Sequence, residues 1–348
     1  MSVQAPTGVG RRMATRMAKN RAAVLVITGS IALAVIIGIR AGPSQLVNTF
    51  VTGGMWALLA VGLALVFGVM NIPMFAHGES FMVGGFVAYF VFVPIQKYLR
   101  LHPNAAMSAL APFVGMFAAM LAGAVLGVIL ERLVFYPLRK RTKAGWVMNA
   151  FLVTVGISFV LINGTNLVLG PNFRGIPRYW DVAPVQMLGV RVPVDRLVAF
   201  GIAAVTIAAV WLFLRKTRTG RAIRAVSQDE TGAQLVGINL NSIFTLTFAL
   251  ATATAALAGA TLLFMFQAYP TVGLKPLYFS WYVVMLAGLG NIGGAVVGGF
   301  IVALLQAGTQ QFFGINWEDV VPTLIMVLVL ILAPSGIFGS EVKGVQEQ

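Results

Sequence analysis

The 348 residues carry 24 basic and 10 acidic side chains, a net charge of +14, and 59% of them are hydrophobic. Only 10% are charged and the mean hydropathy is +0.89, against a charged share of about 25% in soluble domains. That composition excludes an ordinary soluble domain and predicts an all-α polytopic membrane protein.

A basic tail at 1–21 opens the chain, followed by a first apolar run at 22–39. This run is longer than the apolar core of a signal peptide and is read as a retained span. The predicted transmembrane domain covers 22–339. A second run, 46–70, breaks into N-I-P-M-F-A-H-G-E-S at 71–80 before apolar sequence resumes at Phe81. Pro73 removes a backbone donor and Gly78 loosens the chain, at a depth where lipid leaves backbone polar groups no partner outside the protein. The break also carries His77 and Glu79, and an ionisable residue at membrane depth marks a pathway or a structural tie. Asn71, His77, Gly78 and Glu79 are therefore candidate pathway residues.

Further spans follow at 81–95, 105–130, 147–169, 197–214, 243–266 and 320–333, eight in all with the first two. The stretch 278–306 is too long for one span and too rich in glycine for a simple pair. Gly288, Gly290, Gly293 and Gly294 surround Asn291 there, each weakening a helix by roughly 1 kcal/mol. It is read as a second broken or re-entrant segment, with Asn291 as a further pathway candidate. One interruption in each half of the chain is the pattern of a transporter. Gly290, Gly294 and Gly298, Gly123 with Gly127, and Ala251, Ala255 and Gly259 are spaced for close helix packing.

Charge distribution sets orientation. Fifteen of the 24 basic residues lie before the first span, at 132–143 and at 215–224, loops that fall on one side and are therefore cytoplasmic, as is the amino terminus. This clustering beside spans also argues against a nucleic-acid partner. With no cysteine and two histidines, thiolate and histidine metal clusters are not expected.

The cytoplasmic segment 217–241 has its own signals. Ser227 and Glu230 fit a capping box, with a short helix predicted over 228–236 and Asp229 and Glu230 in its first turn. Gly237 suits the left-handed residue beyond its end. An apolar edge at Ala233, Leu235 and Val236, flanked by Arg221 and Arg224, predicts a docking surface for a soluble partner. A short tail is assigned to 340–348.

F-A-H-G-E at 75–79 with M-V-G-G at 82–85, E-R-L-V-F-Y-P-L-R at 131–139 and G-R-A-I-R-A with D-E-x-x-A-x-x-x-G-I over 220–238 recur in one known family. So do G-L-K-P at 273–276, G-L-G-N-I-G-G-A-V-V-G-G at 288–299 and P-S-G-I-F-G at 334–339. Over 46–339 the chain resembles the LivH-type permease subunits of branched-chain amino-acid ABC importers. The first 42 residues precede that family's usual start.

The resemblance implies the importer permease fold in a bacterial inner membrane. It implies a second related permease subunit, two cytoplasmic ATPases carrying ATP and magnesium, and a periplasmic binding protein that delivers substrate. It also implies that 227–237 is the coupling helix, with Arg221, Arg224, Ser227, Asp229, Glu230, Ala233 and Gly237 at the ATPase contact. This chain has no phosphate-loop motif and no cofactor of its own. Subfamilies with similar motifs carry urea, short amides or aromatic acids, so the substrate stays open within that set. The alternative from the residues alone is an ion-coupled secondary transporter in which Glu79 and His77 relay protons. Glu79 has no evident basic partner within the predicted spans.

Overall fold

The computed structural model describes residues 8–142, 146–187, 190–333 and 335–339. Residues 1–7 of the basic tail, Lys143 of the second basic loop, Pro334 of the terminal motif and the tail at 340–348 lie outside the described residues. The side chains of residues 8–23 do so too.

Apolar sequence of spanning length becomes helix because only a helix satisfies its own backbone in lipid. The order is α1 (Gly8–Arg40), α2 (Pro43–Met70), α3 (His77–Leu101) and α4 (Ala105–Leu130), which runs on through a π-helical turn at Glu131–Phe135 into α5 (Tyr136–Arg141). Then come α6 (Trp146–Leu169), an antiparallel hairpin of β1 (Val185–Met187) and β2 (Val190–Val192), and α7 (Val194–Lys216). Short α8 (Arg218–Gln228) and α9 (Glu230–Leu235) lead to α10 (Leu240–Thr261), α11 (Leu274–Ala287), α12 (Ile292–Phe313) and α13 (Val320–Leu332).

Eight helical stretches among the described residues are long and apolar enough to cross a membrane: α2, α3, α4 with α5, α6, α7, α10, α12, and α13 with the turn before it. The described apolar part of α1, Val24–Arg40, is shorter. The irregular 278–306 stretch resolves into two unequal pieces. The 14 residues of α11 reach about 21 Å, less than the ~30 Å hydrocarbon core, whereas α12 with 22 residues is a full span.

Lipid offers no hydrophobic drive between helices, so close backbone approach at small residues holds the bundle. On α4, a Cβ at Gly127 would lie 2.2 Å from Thr252 Oγ1 and 2.8 Å from the Phe248 carbonyl of α10. On α10, a Cβ at Gly259 would lie 2.0 Å from the Phe81 carbonyl of α3. The Gly123/Gly127 and Ala251/Ala255/Gly259 spacings are thus helix contacts, whereas of the third ladder Gly290 precedes α12, Gly294 meets Asn291 and Phe338, and Gly298 alone meets α11 at Val283. The centre is formed by α2 and α10, buried along most of their length, while α6 and α13 are largely uncovered. Leu33 of α1 packs over Gly308 of α12, which ties the first helix to the bundle.

Residues 335–339 fold back on the end of α11, Ile337 N donating to Leu286 O at 2.8 Å and Phe338 N to Ala287 O at 3.1 Å. There a Cβ on Gly290 would sit 2.7 Å from Gly68 Cα in the last turn of α2. The ends of α2, α4 and α7, the start of α10 and the short helix α8 share one packed cluster at this level. Residues 335–339 therefore lie at the end that carries the basic loops, hereafter the basic end.

Candidate functional site

The chain leaves α2 through Asn71, whose φ of +54° makes it the single non-glycine described residue in the left-handed region. Asparagine tolerates that conformation better than most residues. Its N–H still closes the helix on Phe67 O at 3.0 Å. Residues 71–76 then run back along α2, not away from it. His77, the first residue of α3, has Nε2 3.0 Å from Leu59 O, and its ring lies 3.0 Å from where a Cβ on Gly62 would be. Those contacts are about 12–16 Å up α2 from Met70 at the helical rise of 1.5 Å per residue. The amino end of α3 therefore sits roughly halfway through a ~30 Å core.

Gly78 and Gly273 meet there backbone to backbone. A Cβ on Gly78 would lie 2.4 Å from the Gly273 carbonyl, and one on Gly273 would lie 2.0 Å from the Gly78 carbonyl. Gly273 precedes α11, so two helices begin at the same depth. Gly78 thus admits a close backbone approach, and the first residue of G-L-K-P supplies its partner. Glu79 is 1% exposed and accepts from Ser158 Oγ of α6 at 2.6 Å, while its Oε2 and His77 Nδ1 have no partner. One turn earlier on α6, Thr154 Oγ1 lies 3.3 Å from Phe75 N, whose proton it accepts, and 3.2 Å from Pro73 O. Two hydroxyls at i and i+4 thus dock the otherwise uncovered α6 onto the break. Trp281 of α11 packs 5.5 Å from Phe75.

The two breaks differ in character. Asn291 caps α12, its Oδ1 accepting from Gly294 N at 2.9 Å, and its Nδ2 donates to Phe338 O at 2.6 Å. Both functions of its side chain are used at the basic end, where it holds the terminal motif. Asn71 lies at that end as well. His77, Gly78 and Glu79 form the deeper group, so the structure separates the five candidates into two levels.

The coupling segment departs from its expected capping. Ser227 lies inside α8 and its Oγ donates to Arg224 O at 2.8 Å, so there is no Ser227–Glu230 box. Asp229 interrupts the helix in an extended conformation and caps α9, accepting from Gly232 N at 2.9 Å. The reason is local: Ser227 is still held in the α8 ladder, leaving Asp229 as the first residue free to cap. Glu230 opens α9. At the other end Gly237 has φ +84°, its N–H bonds to Gln234 O at 3.0 Å, and Ile238 N bonds to Ala233 O at 3.1 Å. That is the Schellman pattern. Ile223, Val226 and Ala233 are buried, Arg221 and Arg224 are exposed, and Leu235 and Val236 are 84% and 77% exposed. Of the expected apolar edge, Ala233 faces inward and Leu235 and Val236 face out.

Sequence reasoning missed three further buried carboxylates. Glu131, 0% exposed, pairs with Arg139 at 2.8 Å, and that guanidinium lies 4.2 Å from the Phe244 ring centroid and 3.3 Å from Asn241 Oδ1. They are the first and last residues of the E-R-L-V-F-Y-P-L-R motif, which was the available signal. Asp195 accepts from Tyr179 N at 2.7 Å. Burial first, and the Asp195 charge second, push the Tyr179 phenol far above its ordinary range, so its hydroxyl stays protonated and donates to Ala260 O. Glu318 accepts from Lys275 and Gln310 and, at 3.3 Å, from Gln306. Gln306 in turn accepts from Trp56 Nε1 at 3.0 Å. This network bolts the start of α11 to the end of the bundle opposite the basic loops.

A helical bundle with chain breaks at two levels, and a capped loop presenting apolar side chains at one end, defines a polytopic transport permease. Residues 45–330 match the family described as the permease component of branched-chain amino acid transport systems. The chain belongs to that family. It is 29% identical to the high-affinity branched-chain amino acid transport system permease protein LivH of Escherichia coli (strain K12), over 85% of this chain and 94% of that one. It is 30% identical to the corresponding protein BraD of Pseudomonas aeruginosa, over 85% and 95%. A more distant relative is the ribose import permease protein RbsC of Escherichia coli (strain K12), 25% identical over 79% and 81%. No solved structure matches the chain. The match begins at Pro43–Met70, so α1 precedes the family region. Nothing in these relatives supports the ion-coupled alternative.

Proposed function

We propose that this chain forms the translocation pathway of an ATP-driven importer for branched-chain amino acids, placed in a bacterial inner membrane with its basic end in the cytoplasm. The family match over 45–330 carries the reading. In it, a second related permease completes the pathway, two ATPases carrying ATP and magnesium dock at the basic end, and a periplasmic binding protein delivers the solute.

The geometry supplies a route for coupling. Leu235 and Val236 project from a helix fixed by Asp229 at one end and Gly237 at the other, a rigid apolar knob suited to a groove on an ATPase. A Cβ on Gly220 would lie 2.2 Å from Phe213 O, so α8 is seated on the end of α7 and displacement of the knob moves α7. From α9 the chain passes directly into α10, which packs on α2, α3 and α4. The break at 71–79 lies between α2 and α10, where the first turn of α3 offers unpaired amides to a carboxylate during alternating access. Glu79 and Ser158 hold that turn in place.

Co-expression with the matching ATPases and binding protein tests the reading. The expected result is a complex that retains both ATPases and takes up leucine, isoleucine or valine only with ATP and the binding protein present. Uptake driven by a proton or sodium gradient without ATPases would overturn it.

A further inference from the structure

A cleft of about 350 Å³ opens at the basic end between the π-helical turn after α4 and the first turns of α10, lined by Arg132, Tyr136, Asn241, Ser242 and Thr245. We propose that it binds the phosphate of an anionic phospholipid headgroup. The inference is independent of the transported solute and of the ATPases.

Its donor set carries the argument. Among the described residues the Arg132 guanidinium, the Tyr136 hydroxyl and the Ser242 hydroxyl have no side-chain or backbone partner. Asn241 spends its Oδ1 on Arg139, which leaves its NH₂ as a fourth open donor. Thr245 turns its hydroxyl proton onto Asn241 O at 2.8 Å and keeps lone pairs only. Glu131, next to Arg132 in the chain, is buried and paired with Arg139, so the described residues that line the cleft present donors and the Arg132 positive charge. Phosphate oxygens accept several such bonds at once, and a guanidinium matches them in geometry.

Position selects a lipid over a free ion. On the uncovered face of α4 and the π-helical turn that continues it, Leu121, Val125, Ile129 and Leu133 are 55%, 51%, 46% and 72% exposed. Spaced by four, they form one continuous row along the helix. Ile129 lies three residues before Arg132 and Leu133 three before Tyr136, so the apolar row ends at the cleft. An acyl chain lying on the row puts its headgroup among the four donors. The basic run Arg139, Lys140 and Arg141 follows immediately, which sets the cleft at the membrane boundary, where basic pockets between helices take anionic headgroups. The π-turn widens the helix at this level, as such turns often do at functional sites.

The test uses the full chain with its co-purifying partners, exchanged into micelles containing equal phosphatidylglycerol and phosphatidylcholine, with retained lipid counted by native mass spectrometry. Wild type should retain phosphatidylglycerol in preference. Arg132→Gln combined with Ser242→Ala should reduce that retention about tenfold, the loss expected for charge-assisted hydrogen bonds. Arg132→Lys should keep most of it, and Tyr136→Phe, which changes no charge, should weaken it less. Unchanged retention in the double variant would overturn the site. Displacement by inorganic phosphate alone would show a free-anion site and overturn the lipid assignment. Loss of a co-purifying protein with lipid retention intact would show a protein contact instead.

Discussion

Glu79 is a buried carboxylate that a single hydroxyl holds in place, and its role divides cleanly by substitution. Glutamine keeps the size and can still accept from Ser158, so Glu79→Gln should lower uptake by less than the tenfold that ~1.4 kcal/mol represents. Ser158→Ala should add little on top, because both changes act on one contact. Uptake abolished in the glutamine variant, with the complex still assembled, would assign Glu79 to charge chemistry in transport. Gly78 is less forgiving. Any Cβ there meets the Gly273 carbonyl at 2.4 Å, and backbone cannot step aside as a flexible side chain can, so Gly78→Leu should remove most assembled complex. Overpacking of this kind typically costs 1–3 kcal/mol or more. Recovery of fully assembled Gly78→Leu complex with normal uptake would contradict the contact.

At the scale of the element, α9 is six residues long and owes its position to its two ends. Asp229→Ala removes the cap at a cost of about 1 kcal/mol. Gly237 has open space around it but φ +84°, so Gly237→Val is strained by conformation alone, by about 1–2 kcal/mol. Neither residue lies in a span, so membrane insertion should stay intact in both variants while ATPase retention and substrate-stimulated hydrolysis fall. Leu235→Ser, which removes exposed apolar surface without disturbing either end, should reduce retention as well. Full coupling in all three would remove α9 from the ATPase contact.

For the whole molecule, orientation is the property to establish. The chain has no cysteine, so a single introduced thiol reports its side of the membrane without interference. Cysteine at Thr231, exposed in the first turn of α9, should resist an impermeant thiol reagent added to intact cells, and cysteine at Gln186, exposed on β1, should react. The reverse pattern would invert the assembly. The packing of 335–339 on the α11–α12 break makes a linked statement: the segment just after α13 lies on the Thr231 side.

Membrane class, most of the span positions, both breaks and Gly237 were legible from the sequence. Each is a local consequence of composition: apolar length sets a span, proline and glycine end one, and a positive φ selects glycine. The family was legible in the motifs as well. Depth and pairing were not. Nothing local reveals that 71–76 doubles back along α2, because that path is set by His77 reaching Leu59 and Gly78 meeting Gly273, residues far apart in sequence. The Ser227 capping box failed because α8 runs through Ser227 to Gln228, which holds that side chain on Arg224 O and leaves Asp229 to cap. Likewise the burial of Glu131, Asp195 and Glu318 comes only with the fold, which sets them beside Arg139, the Tyr179 amide and Lys275. Burial and partnership belong to the packed bundle, since a buried charge persists only where the tertiary structure brings its partner to it.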